Sequence, residues 1–111
     1  MDWVGFFKKM IIYVDIDNTI CHSKTDKNGL WDYFNSKPRQ EQIDKINKLY
    51  DEGNEIVYWT ARGTVTGKDW SLMTQRQLDH WGCKYTRIEK QTKPHFDLFI
   101  DDKAKRIEEL E

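Results

Sequence analysis

The chain has few of the features that mark a secreted or membrane-bound protein. It contains 2 cysteines in 111 residues, Cys21 and Cys83, and they lie in no metal-binding spacing. A single pair is weak support for a disulfide framework, so both are expected to be reduced thiols. No apolar run approaches the ~20 residues of a membrane-spanning helix, and no segment resembles a signal peptide with its cleavage site. These absences predict a cytoplasmic protein without membrane contact.

An excess of one charge is also missing. The chain carries 18 basic and 19 acidic residues, for a net charge of -1, and the two signs are mixed throughout. A dedicated nucleic-acid binder needs a basic patch or stripe, so nucleic acid is not expected as a partner. The length of 111 residues leaves room for one compact domain with one hydrophobic core.

The N-terminal leader, residues 1–9, differs in composition from the rest of the chain. It contains three aromatic residues and ends in Lys8 and Lys9. Such a segment is either an interfacial anchor or, as we favour, an extra piece ahead of a single domain that spans residues 10–111. The leader's aromatic side chains need cover, from the domain's own surface or from a second subunit. A homo-oligomer is therefore one of the expected arrangements.

Strand-like and helix-like patterns alternate along this domain. Strands are predicted at 11–15, 55–59, 85–88 and 98–100. Helices are predicted from Pro38 to Gly53, from Asp69 to Gly82, and at 104–110. Such alternation predicts an α/β fold with a central parallel sheet covered on both faces, which is a three-layer Rossmann-like domain.

A polar segment at about residues 20–37 separates the first strand from the first helix. It contains Gly29 and the aromatic residues Trp31, Tyr33 and Phe34. This composition is typical of a loop or a small hairpin, which we call the flap. Its aromatic side chains either stack on a sugar or base over the neighbouring site or simply pack the flap.

Within the stretch Ile11 to Ile20, the first apolar run breaks into two carboxylates that stand one residue apart. Alternation along a strand places Asp15 and Asp17 on the same side. Carboxylates this close repel each other unless a cation, a shared proton or hydrogen-bond donors compensate. Taken alone, the segment is also typical of a strand end at which Asp and Asn begin a turn.

Two further apolar runs end in groups suited to the same chemistry. The run 56–59 leads into Thr60-Ala61-Arg62-Gly63, and the run 96–100 leads into Asp101-Asp102-Lys103. The carboxyl ends of parallel strands line one crevice in an open α/β sheet, so these residues are expected to converge, together with Lys93. Taken singly, these residues are more typical of other roles: Thr60 of a strand end, Lys93 of a solvated surface, and Asp101-Asp102 of a helix cap. The ordered set favours a catalytic site.

This ordered set resembles the haloacid dehalogenase (HAD) superfamily of phosphohydrolases. Asp15-Ile16-Asp17-Asn18-Thr19 resembles the first motif of that superfamily, Thr60 the second, Lys93 the third, and Asp101-Asp102 the fourth. The match runs from about residue 10 to residue 103. Asn18 stands where the superfamily more often has Gly, and Asn tolerates the left-handed backbone of such a turn. Segments 58–63 and 97–104 are most similar to small bacterial and phage proteins described as capsule or polysaccharide biosynthesis phosphatases.

The resemblance implies a Mg²⁺-dependent phosphatase with a HAD fold and, given the chain length, no cap domain. Asp15 would be the nucleophile that forms an aspartyl-phosphate, and Asp17 the general acid and then the general base. Thr60 would bind a phosphoryl oxygen, and Lys93 would offset the negative charge. The implied Mg²⁺ ligands are Asp15, Asp17 through its backbone carbonyl, Asp101 and Asp102.

Substrate contacts are expected from residues next to these motifs. The backbone amides of Asn18 and Thr19 would contribute to a phosphate cradle. Arg62 and Gly63 follow Thr60 and are candidate substrate-binding residues, although for Arg62 a structural ion pair is an equal alternative. The expected partner is a small-molecule phosphomonoester, such as a phosphorylated sugar or polysaccharide precursor. A polynucleotide-end phosphatase and a catalytically silent phospho-ligand module are the alternatives.

Overall fold

The computed structural model describes residues 9–62, 69–90 and 98–100 of the chain. The described strands are β1 (Ile11–Asp15), β2 (Cys21–His22), β3 (Lys37–Pro38), β4 (Glu55–Thr60), β5 (Arg87–Lys90) and β6 (Leu98–Ile100). The described helices are α1 (Gln40–Asp51), α2 (Ser71–His80) and a short 3-10 helix, Tyr33–Asn35. The helix predicted at 104–110 and nearly all of the leader lie outside the described residues.

Four of these strands form one sheet in the order β5-β4-β1-β6. All of its pairings are parallel, and β1 lies between β4 and β6. The register places Asp15 opposite Trp59 and Val14 opposite Ile100. The near-continuous apolar character of β1 and β4 is typical of parallel strands buried on both faces. The predicted α/β class with a parallel sheet is confirmed.

The core lies on one face of the sheet, against both helices. It joins alternate residues of β1 and β4 to apolar residues of the helices, namely Ile12, Val14, Ile56, Tyr58, Ile43, Ile46 and Leu78. Tyr13 and Val57 point to the opposite face and are fully buried as well. Both faces of the two central strands are therefore covered, and each buried Ile or Leu side chain contributes about 1.5–3 kcal/mol.

The two helices follow the predicted periodicity but not all of the predicted ends. Helix α1 begins at Gln40, because Pro38 pairs with Cys21 in β3 instead of entering the first helical turn. Its end is as expected, since Gly53 adopts a φ of 98° and turns the chain back toward β4. Among the helices of the described ranges, none combines the length and apolar character needed to cross a bilayer.

The flap forms a small hairpin. Strands β2 and β3 pair in antiparallel fashion, and a further bridge joins Thr25 to Trp31. At the tip, the Asp26 carboxylate accepts hydrogen bonds from the backbone amides of Asn28 and Leu30. In the sequence, the hairpin begins immediately after the turn that carries Asp17.

Candidate active site

The carboxyl ends of three adjacent parallel strands define the candidate site. Asp15 is the last residue of β1, and Thr60 is the last residue of the neighbouring β4. On the other side of β1, strand β6 ends at Ile100, which is paired with Val14. These three strand ends therefore lie at the same edge of the sheet.

Part of the predicted site lies outside the described residues. This applies to Lys93, Asp101, Asp102 and Gly63, whose roles stay predictions. Within residues 9–62, 69–90 and 98–100, no group of three or more His, Cys, Asp or Glu side chains is arranged to hold a metal ion. The described contribution to the expected Mg²⁺ site is the pair Asp15 and Asp17, so the remaining ligands have to come from elsewhere.

The turn after β1 contains one residue in a left-handed conformation, Asn18. Ile16 accepts hydrogen bonds from the amides of Thr19 (3.2 Å) and Ile20 (3.0 Å), which closes the turn. Asn18 has a φ of 64°, a left-handed conformation that no other non-glycine residue of the described ranges adopts. Its side-chain Oδ1 accepts a hydrogen bond from the Ser23 amide at 3.2 Å. Asn18 thus stabilises both the turn and the path into the flap.

Two hydroxyl groups at the site are buried. The Thr60 hydroxyl accepts a hydrogen bond from the Arg62 amide at 3.0 Å, which leaves its own hydrogen available for donation. The Thr19 hydroxyl is buried without a hydrogen-bond partner among the described residues. A buried polar group left unpaired costs about 1–3 kcal/mol, so Thr19 is suited to a ligand or to a group outside the described ranges.

Asp17 is held by Arg62 in a two-pronged ion pair. Arg62 Nε donates to Asp17 Oδ2 at 3.0 Å, and Arg62 Nη2 donates to Asp17 Oδ1 at 2.8 Å. The Arg62 side chain is fully buried, whereas the Asp17 side chain is 20% exposed. Parallel N–H···O bonds of this kind fix the plane of the carboxylate as well as its position.

The remaining edges of the Arg62 guanidinium are also occupied. Nη1 donates to Thr74 Oγ1 at 3.1 Å and to Gln77 Oε1 at 2.6 Å, both on α2. The Tyr33 ring of the flap lies against the guanidinium face, with its centroid 4.7 Å from Cζ. The structure therefore contains the ion pair that was one of the two alternatives for Arg62, while a substrate contact by this residue stays a prediction.

A second group of contacts reaches Asp17 from the flap. Ser23 Oγ donates to Asp17 Oδ1 at 2.6 Å and lies 2.6 Å from Ser36 Oγ across the hairpin. Cys21 Sγ lies 3.7 Å from the same Asp17 oxygen. Burial, and then the Asp17 charge, raise the pKa of the Cys21 thiol to about 11, so this thiol is protonated near neutral pH.

The flap aromatics differ in their surroundings. Tyr33 packs edge-on against Trp70 at 5.3 Å, and Trp31 stacks on Tyr33 at 6.1 Å. Phe34 remains largely exposed. The described contacts of Trp31 and Tyr33 are those of side chains that pack the flap.

A cavity of about 360 Å³ opens beside Thr60 and Arg62. It lies between the start of α2 and strand β5, and its lining includes Trp70, Tyr85 and Lys90. Asp15 and Asp17 are not part of this lining. The cavity therefore adjoins the candidate site on the β4 side and does not contain the carboxylate pair.

Three residues of the site were not singled out by sequence reasoning, namely Ser23, Thr74 and Gln77. Thr74 and Gln77 are three positions apart and share one face of α2, which is a recognisable polar pair. Nothing in the local pattern indicates that this face meets Arg62 rather than solvent. No sequence signal distinguishes Ser23 from other hairpin residues. Its contact with Asp17 arises because the flap folds back over that residue.

Comparison with known proteins supports the fold. The chain is similar to a crystal structure of an MCSG target from Vibrio cholerae, with a TM-score of 0.65 and 28% sequence identity. The match covers 91% of this chain and 86% of that chain, and the description of that protein names no activity. Searches against protein-family models and among curated proteins gave no match.

Proposed function

We propose that this protein is a Mg²⁺-dependent phosphomonoester hydrolase that acts through an aspartyl-phosphate intermediate. The observation that carries the proposal is the position of Asp15 and Asp17 at the end of the central parallel strand, beside Thr60. The neighbouring β6 ends at Ile100, and Asp101-Asp102 follow it in the sequence. The proposal includes a capless, three-layer HAD fold and a cytoplasmic location.

The described donors fit a magnesium ion in their chemistry. Mg²⁺ prefers oxygen ligands, keeps several waters and uses one or two protein carboxylates together with substrate phosphate. Asp15 would bind it through its carboxylate and Asp17 through its backbone carbonyl, with Asp101 and Asp102 as the proposed further ligands. When bound, the ion would neutralise the negative charge that otherwise keeps an anionic nucleophile away from a phosphate group.

The protein groups supply the nucleophile and the proton transfers. An Asp15 oxygen forms a bond to phosphorus while the bond to the leaving oxygen breaks, and Asp17 donates its proton to that oxygen. In the second half of the reaction, Asp17 takes a proton from the water that attacks the aspartyl-phosphate, which restores free Asp15 and releases phosphate. The Thr60 hydroxyl donates to a phosphoryl oxygen, as its unused hydrogen allows.

The proposed substrate is a phosphorylated sugar or polysaccharide precursor. This narrower proposal is supported by the resemblance of segments 58–63 and 97–104 to capsule and polysaccharide biosynthesis phosphatases. The balanced charge of the chain, with 18 basic and 19 acidic residues, favours a small molecule over a polynucleotide end.

A phosphate-release screen tests the proposal. Phosphorylated sugars, other phosphorylated metabolites and 5′- and 3′-phosphorylated oligonucleotides are incubated with the protein in Mg²⁺ or in EDTA. We expect turnover that EDTA abolishes, that Asp15→Asn removes and that Asp17→Asn lowers by about 10²–10⁴-fold. Asp51→Asn, an exposed change far from the strand ends, is the control with unchanged activity.

Two results would contradict the mechanism. Turnover that survives in EDTA or in Asp15→Asn would show that hydrolysis does not depend on this site. Absence of turnover on every compound would favour the silent phospho-ligand module. Turnover confined to oligonucleotides would keep the chemistry and replace the proposed substrate.

A further inference from the structure

We infer that Arg62 is the positioning residue for Asp17: it fixes which oxygen of that carboxylate exchanges the proton and connects this oxygen to α2 and to the flap. The inference rests on the proposed function, in which Asp17 is the general acid and base. It assigns Arg62 no contact with substrate.

The two oxygens of the Asp17 carboxylate differ in their hydrogen-bond partners. Oδ1 accepts from Arg62 Nη2 at 2.8 Å and from Ser23 Oγ at 2.6 Å, so both of its lone pairs are used. Oδ2 accepts from Arg62 Nε at 3.0 Å, and no second donor reaches it from the described residues. Within the described ranges Oδ2 thus has one hydrogen-bond donor fewer than Oδ1, and we assign the transferred proton to Oδ2.

Arg62 is itself held in one position. Its Nη1 is anchored to Thr74 and Gln77 on α2, and its side chain is fully buried. A general acid has to lie within hydrogen-bond reach of the leaving oxygen, and an unrestrained Asp side chain samples several rotamers. The two hydrogen bonds from the anchored guanidinium therefore hold the Asp17 side chain in one rotamer before substrate binds.

The anchored guanidinium also contacts the flap. Tyr33 lies on the face of the Arg62 guanidinium, and Gln77 Nε2 donates to the Tyr33 carbonyl oxygen at 2.7 Å. Gln77 thus contacts the guanidinium with one end of its amide and the flap backbone with the other. Displacement of the flap would loosen the same group that orients Asp17.

The test compares substrates that need a general acid with substrates that do not. An alkyl phosphate releases a basic alkoxide and depends on proton donation, whereas p-nitrophenyl phosphate releases a stable phenolate. We expect Arg62→Lys, which keeps the charge but loses the planar fork, to lower the single-turnover rate of leaving-group release from the alkyl phosphate by about 10–100-fold. We expect this same half-reaction to change by less than about 3-fold on p-nitrophenyl phosphate. Steady-state kcat does not separate the two substrates, because Asp17 also acts as the base in the second half-reaction, which they share.

Two further variants separate positioning from folding. Thr74→Val removes one anchor of Arg62 at nearly constant volume and is expected to give a smaller loss with the same leaving-group dependence. In the Asp17→Asn background, Arg62→Lys is expected to have no additional effect, because its influence passes through Asp17. Arg76→Lys, on the exposed side of the same helix, is the matched control, and thermal melts show that each variant is folded.

The outcomes distinguish this inference from the proposed function. Equal losses in the rate of leaving-group release from both substrates, or an additive effect in the Asp17→Asn background, would overturn the positioning role while leaving the phosphatase proposal standing. Wild-type protein that hydrolyses none of the screened phosphomonoesters in Mg²⁺ would overturn both.

Discussion

Asn18 shows how one residue determines the backbone on which the site is built. Its φ of 64° is unfavourable for residues with a Cβ, and its side chain also accepts the Ser23 amide. Asn18→Ala loses both advantages and is expected to destabilise the fold by about 1–2 kcal/mol. Asn18→Gly relieves the backbone strain and is expected to cost less than half as much. Urea unfolding of the two variants checks the order; a larger cost for Gly would contradict it.

A second prediction at this scale concerns the buried thiol of Cys83. Burial raises its pKa from the ordinary value of 9.0 to about 12, so the thiol stays protonated in the folded protein while it ionises in the unfolded chain above pH 9. Stability from this group is therefore fully present below pH 9 and is lost as pH rises toward 12. We expect a loss of roughly 1–2 kcal/mol between about pH 9 and 11.

The comparison of wild type with Cys83→Ala checks this sign. Urea unfolding across that pH range should show a shallower decline in the variant, because the titrating thiol is gone. Identical slopes in the two proteins would show that Cys83 does not titrate differently in the folded and unfolded states.

The candidate site could be predicted from the sequence only in part, for physical reasons. Asp15, Asp17 and Thr60 follow apolar runs, and the carboxyl ends of parallel strands meet at one edge, so their proximity follows from local pattern. The ion pair between Arg62 and Asp17 does not follow from the local pattern. Its position depends on the docking of α2, which is far from β1 in the sequence, and on the way the flap folds back over the turn.

Helix α2 illustrates at the scale of elements how packing differs from periodicity. The sequence predicts a helix that carries the apolar residues Leu72, Met73, Leu78 and Trp81 and does not indicate which of them face the core. In the structure Leu78 is fully buried in the core, whereas Leu72 is 59% exposed. Leu72 instead lines a surface cavity together with Phe34 and Ser36 of the flap, and the spacing of apolar residues alone does not distinguish the two surroundings.

This difference gives a matched pair of substitutions on one helix. Leu78→Ala leaves a cavity in the core and is expected to destabilise the protein by about 2–5 kcal/mol. Leu72→Ala is expected to change stability by less than about 0.5 kcal/mol. Chemical denaturation with an unchanged m-value checks both; comparable losses would mean that the exposed end of α2 is covered by another surface.

Element identity could be predicted more reliably than element ends or neighbours. The apolar runs at 11–15 and 98–100 form β1 and β6 as expected, and β4 extends one residue beyond its predicted end to include Thr60. The short strand expected at 85–88 is instead β5 at Arg87–Lys90. The order β5-β4-β1-β6 could not be predicted, because the local pattern of a strand carries no information on which strand lies beside it.

For the whole molecule, the parallel sheet is what brings distant parts of the chain together. Asp15, Thr60 and Ile100 end three strands that are far apart in sequence but adjacent in the sheet. An antiparallel arrangement would send alternate strand ends to opposite edges and would separate the same residues. The proposed chemistry thus depends on the topology as much as on the individual side chains.

The central claim is that carboxylates from different strands gather at the end of β1 around one Mg²⁺, with Asp15 as the nucleophile. The most direct measurement is a crystal structure of the protein with Mg²⁺ and trifluoroberyllate, an analogue of the phosphoryl group. We predict beryllium bonded to an Asp15 carboxylate oxygen, and Mg²⁺ at about 2.0–2.1 Å from oxygens of Asp15 and Asp101. Trifluoroberyllate absent from Asp15 under saturating conditions, or Asp101 remote from the ion, would contradict the account.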